Sequence, residues 1–80
     1  MYTIHYTSDV VRNNKNYGVN EIHENMSKHS VITFINELDT AYGNHKVVSG
    51  MEMWKNRLDI HTVSIFKHGR LVKYKEVISE

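Results

Sequence analysis

Polar and apolar residues alternate at the start of the chain. In Tyr2-Thr3-Ile4-His5-Tyr6-Thr7 every second residue is aromatic or branched. That period of two predicts a strand, with Tyr2, Ile4 and Tyr6 turned toward a core. The polar stretch Arg12-Asn13-Asn14-Lys15-Asn16 reads as an exposed loop. Tyr17 to Ile22 fits two patterns. One is a second strand returning from that loop. The other is the start of a short helix capped by Asn20, with Ile22 and Met26 on one side.

The period then changes. Val31, Phe34, Ile35, Leu38, Ala41 and Tyr42 recur at helical spacing, which forms one stripe of an amphipathic helix. Ser30 is the expected N-cap and Gly43 the left-handed stop. Beyond Val47-Val48, Ser49 is followed three residues later by Glu52, the spacing of a capping box. It predicts a short helix with Met51, Trp54 and Leu58 on one side. A strand with Met51 and Met53 on one face is the competing reading. Trp54 is expected in the core.

The last third reads as a hairpin. Ile60 to Lys67 and Arg70 to Ile78 flank His68-Gly69, a two-residue turn whose positive φ glycine supplies freely. The register pairs Lys67 with Arg70, Ile65 with Val72 and Val63 with Tyr74 on one face. Phe66 with Leu71, Ser64 with Lys73 and Thr62 with Lys75 form the other. The helix is expected to pack on the first face. The expectation is one α+β domain over residues 1–80. It has an antiparallel sheet of three to five strands, one main helix on one face and a C-terminal β-hairpin.

Composition narrows the chemistry. A chain of 80 residues has a small core and little room for a concave site. No apolar run exceeds two residues, so no helix is expected to span a bilayer. The first residues lack the basic and apolar segments of a secretory signal. The chain has no cysteine, which excludes disulfides, thiol nucleophiles and cysteine zinc sites. That fits a cytoplasmic setting. Asn, Lys, Ile and Tyr are abundant while Ala and Pro are nearly absent. This is the coding bias of an A/T-rich genome, as in many phages and low-GC bacteria.

Charge is unevenly distributed. Trp54 to Lys75 carries a local net +5 and Tyr17 to Asp39 a local −3, within an overall +1. A basic hairpin with Phe66 exposed beside Lys73 and Lys75 suggests nucleic-acid binding, with Arg12, Lys15, Lys67 and Arg70 adding phosphate contacts. Lysines on an edge hairpin also serve simply to prevent edge pairing. Phe66 and Leu71, paired on an otherwise polar face, suggest a contact surface for a protein or a second copy of the chain. Lys67, Arg70, Lys73 and Lys75 would rim it.

Six histidines raise the question of metal. No His-x-His or His-x-x-x-His spacing occurs. Glu21-Ile22-His23 and Asp59-Ile60-His61 would each put a carboxylate and an imidazole on one strand face, and would need to be neighbours to share an ion. The bland reading, solvated faces and ion pairs, is favoured, so no metal is assigned. His5, His29, His45 and His68 read as surface or turn residues. His61, Arg70 and Tyr74 are the residue types of a small ribonuclease. No phosphate loop, nucleophile elbow or His-Glu-x-x-His motif is present, and no catalytic residue or cofactor is assigned. The sequence therefore points to a small non-enzymatic binding module. The expected type is a phage or mobile-element regulator or inhibitor docking on a larger host protein. A nucleic-acid binder using the basic hairpin is the alternative.

Overall fold

Four two-residue turns organise the chain. A computed structural model describes residues 1–80. In it β1 (Tyr2–Arg12) and β2 (Lys15–Met26) are joined by Asn13-Asn14. Both asparagines have positive φ, 53° and 61°, as a hairpin turn matched to strand twist requires. The expected loop is therefore a tight turn, and Arg12 and Lys15 lie in the strands. Helix α1 (Lys28–Tyr42) follows, then β3 (Lys46–Val48), β4 (Met51–Asn56), β5 (Asp59–Lys67), β6 (Arg70–Val72) and α2 (Tyr74–Ile78).

The strands form one antiparallel sheet in the order β2-β1-β5-β4-β3. β1 pairs along the whole of β5, from Tyr2↔Lys67 to Val10↔Asp59. The other edge of β5 is divided: β4 takes Asp59 to Val63, and β6 takes Ile65 to Lys67. This sharing corrects the expected hairpin. Lys67↔Arg70, Phe66↔Leu71 and Ile65↔Val72 form as the turn dictates. Val63 does not meet Tyr74, because Glu52 of β4 already pairs with it. The chain leaves the sheet after Val72. Lys73 becomes the N-cap of α2 and Lys75 lies within that helix.

Residues 50–58 are strand and turn rather than the favoured helix. Ser49 takes φ 52° in the β3–β4 turn with Gly50, so it cannot act as an extended N-cap. β4 then alternates, with Glu52 and Trp54 buried and Met51 and Met53 half-buried. Residues 17–26 are also strand. α1 begins earlier than expected: Ser27 is the cap, its hydroxyl accepting the Ser30 amide at 3.1 Å. Gly43, at φ 93°, ends the helix.

The core lies between α1, α2 and one face of the sheet. Val31 and Ile35 of α1 and Val77 of α2 pack with Tyr2, Ile4, Trp54, Val63, Ile65 and Val72. Phe34, Leu38 and Tyr42 flank them, whereas Ala41 is exposed. The sheet is larger than the three to five strands expected, and the second helix lies at Tyr74–Ile78 rather than at 50–58.

Candidate docking face of the sheet

Strand alternation decides which side chains leave the core. On β5, Val63, Ile65 and Lys67 face the helices, so Ile60, Thr62, Ser64 and Phe66 face the opposite way. On β1 the register places Thr3, His5, Thr7 and Asp9 beside them. β4 contributes Met51, Met53 and Lys55, and β6 contributes Leu71. β3 adds Lys46 and Val48, and β2 adds Asn20 and Ile22.

No element packs on this face. Both helices lie on the other side. Its middle carries no lysine, arginine or carboxylate: Thr3, His5, Thr7, Thr62, Ser64, Phe66, Met51 and Met53 are all half-buried. Apolar side chains extend toward its margins, with Leu71 39%, Ile60 37%, Val48 42% and Ile22 64% exposed. Asp9, Lys55 and Lys46 stand at the periphery. The solvent face of an antiparallel sheet is ordinarily polar. Phe66 and Leu71 do pair here as expected. Sequence reasoning missed Met51 and Met53 as part of the same patch, because the capping-box spacing placed them on a helix.

The basic residues are not gathered around that patch. Lys67 faces the helices, 2.9 Å from the Glu80 carboxylate and over the Tyr2 ring. The hydrogen bonds it donates to the Glu80 carboxylate raise its pKa and keep it protonated. Arg12 holds Asp59 with two hydrogen bonds of 2.7 and 2.9 Å. Lys15 pairs opposite Arg12 beside the hairpin turn. That turn is at the other end of the sheet from Arg70, about 30 Å away at strand rise. Lys73 and Lys75 do not extend the strand beside Phe66. Arg12, Lys15, Lys67, Arg70, Lys73 and Lys75, the six cations expected to meet nucleic acid, are not gathered into one surface with Phe66.

On the covered face the imidazole and carboxylate pairs resolve differently from the metal pattern. Glu21 and His23 on β2 hydrogen-bond one another at 2.9 Å. Asp59 and His61 lie on β5. β1 runs between the two strands, so the two pairs are not neighbours. His61 is 2% exposed, with the Tyr42 ring stacked on it at 3.8 Å and the Tyr6 hydroxyl 2.9 Å from Nδ1. Its Nε2 is buried without a partner. Burial lowers its pKa, and the Asp59 charge only partly opposes that. Arg70 pairs with Lys67, six residues further along β5, about 20 Å away. His61, Arg70 and Tyr74 therefore do not form a ribonuclease constellation.

His45 is not a plain surface residue. Asp39 accepts hydrogen bonds from its Nδ1 and from the Trp54 indole, both at 2.9 Å. Burial tends to raise the Asp39 pKa, but these donors outweigh it and hold the carboxyl below its usual range. Nearby, Glu52 is fully buried. One oxygen accepts the Tyr74 amide at 2.8 Å and the other has no partner. Burial pushes its pKa up. This cluster joins β4, α1 and α2. The largest depression of the surface, lined by Arg12, Asn56, Arg57, Leu58 and Asp59, is built around the satisfied Arg12–Asp59 pair. No helix is long and apolar enough to cross a membrane. Comparison with protein families, curated proteins and solved structures finds no match for this chain.

Proposed function

We propose that this chain is a non-enzymatic protein-binding module and that the open face of its sheet is the docking surface. The observation that carries the reading is that face: five strands wide, uncovered, and free of lysine, arginine and carboxylate across its middle. Phe66, Leu71, Met51 and Met53 supply the adaptable apolar contacts common at protein interfaces. The regulator or inhibitor class, acting by contact on a larger protein in a reducing compartment, fits a chain without cysteine. The A/T-rich coding bias supports the phage or mobile-element setting. Nucleic acid is the weaker reading, since Lys67 and Arg12 are already paired and the free cations are dispersed.

The test compares tagged wild type with Phe66→Asp and Met53→Asp as baits in lysate of the source cells, with and without nuclease. Circular dichroism checks that both variants fold. A protein recovered by wild type and lost by both folded variants supports the reading. Recovery that survives both changes, or that vanishes with nuclease in wild type, contradicts it.

A further inference from the structure

The geometry points to a second copy of this chain as the occupant of the open face in the free protein, so that a larger partner must displace it. The inference rests on the reading of that face as a protein-docking surface and names what covers it first.

Asp9 and Lys55 are self-complementary about β5. Asp9 of β1 and Lys55 of β4 both lie level with Ile60 of β5, one on each side of it. A twofold axis running along β5 in the interface plane exchanges β1 with β4. It sets Asp9 of each copy over Lys55 of the other, so these two charges are answered at once, while Lys46, level with Met53, comes over the uncharged Asn20. The same operation exchanges β2 with β3. Ile22 lies level with His5 and Ser64, and Val48 with Met51, so the two outer apolar side chains meet. Met51 and Met53 come over His5 and Thr7. Along the axis β5 meets itself through Thr62, Ser64 and Phe66, which carry no charge to repel. An isologous contact needs this self-complementarity, and it closes at two copies.

The size falls at the small end of specific interfaces. Five strands at about 4.8 Å spacing and about seven residues of length give a footprint of roughly 600 Å² before side-chain relief. Specific interfaces bury about 800 Å² per partner. Two sheets stacked this way are a β-sandwich, about 10 Å apart.

The experiment is sedimentation equilibrium of the full chain from micromolar to sub-millimolar concentration. Wild type is expected to approach twice its 9.4 kDa mass. Ser64→Arg, which meets its own copy near the axis, is expected to remain monomeric. Lys55→Asp is expected to raise the dissociation constant at least about a hundredfold, because like charges facing across an interface are strongly unfavourable. Adding Asp9→Lys to Lys55→Asp restores opposite charges and is expected to restore the dimer. All three changes are at solvent-facing positions, and circular dichroism confirms folding. A monomeric wild type at every concentration overturns the inference, as does a dimer indifferent to Ser64→Arg or a charge swap that restores nothing. A monomer that still captures a larger protein through Phe66 and Met53 overturns the second copy while leaving the docking face standing.

Discussion

Glu52 offers a sharp test of how the two small ends of this fold are tied together. Helix α2 has five residues and its N-cap, Lys73, makes no side-chain cap bond. A helix that short does not persist alone. Two things hold it: Val77, 1% exposed in the core, and the Tyr74 amide donated to Glu52. Glu52→Ala removes the acceptor and leaves a partly buried amide unpaired, at a cost of about 1–3 kcal/mol. Truncating a fully buried side chain adds a cavity term, so the total is expected at about 2–4 kcal/mol. Glu52→Gln keeps an acceptor for Tyr74 and removes the ionisation. Its effect therefore depends on pH. The folded pKa of Glu52 is raised above the unfolded value of about 4.5. Folding holds a proton that the unfolded chain releases, so the Glu52 contribution falls as pH rises above about 4.5 and levels off beyond the folded pKa. The stability of wild type relative to Glu52→Gln should decline over that window. Urea unfolding followed by the fluorescence of Trp54, the only tryptophan, measures both quantities. A pH-independent difference between wild type and Glu52→Gln would refute the buried-carboxylate argument. Equal stability of the Ala and Gln variants would refute the Tyr74 anchor.

Three other outcomes follow from the same structure. His61 has the opposite sign: its folded pKa is lowered, so as pH falls through about 6.5 the unfolded chain takes a proton that the buried ring refuses. Wild-type stability relative to His61→Gln should therefore fall on acidification through that value, as the same urea titration reads. Gly50→Ala places a Cβ 3.1 Å from the Leu71 side chain at φ 79°. It should cost at least about 1 kcal/mol by thermal unfolding. Trp54→Ala, emptying the largest fully buried side chain, should cost about 3–5 kcal/mol and lower the urea midpoint, followed by far-ultraviolet dichroism.

The periodic parts of the fold were readable and the contested edges were not. Tyr2, Ile4 and Tyr6 alternate cleanly, and the α1 stripe recurs at helical spacing. His68-Gly69 sets three pairs of the β5–β6 ladder through local turn geometry. That local information carries no trace of β4 competing for the same edge of β5. The competition is a long-range event, and it is what ends β6 and starts α2. Residues 50–58 misled for a chemical reason. A glutamate at an interior strand position breaks binary patterning, and Ser49 spaced three before it mimics a cap. Glu52 is buried because it closes the junction of β4 and α2, a role with no local signature. Phe66 and Leu71 were found because the turn fixed their register. The wider docking face needed the positions of Met51, Met53, Thr3 and Thr7 across strands distant in sequence.

The most direct test of the docking-face account is oxidative footprinting of the methionines. Met51 and Met53 lie on the open face, while Met1 is 68% exposed away from the core and serves as the reference. Labelling is compared between the dilute purified chain and the chain inside its source cells. The account predicts that Met51 and Met53 are protected in cells relative to Met1, together with Phe66. Equal labelling of Met51 and Met53 in both settings, with protection absent or confined to the helices or to the β2 edge, would contradict it.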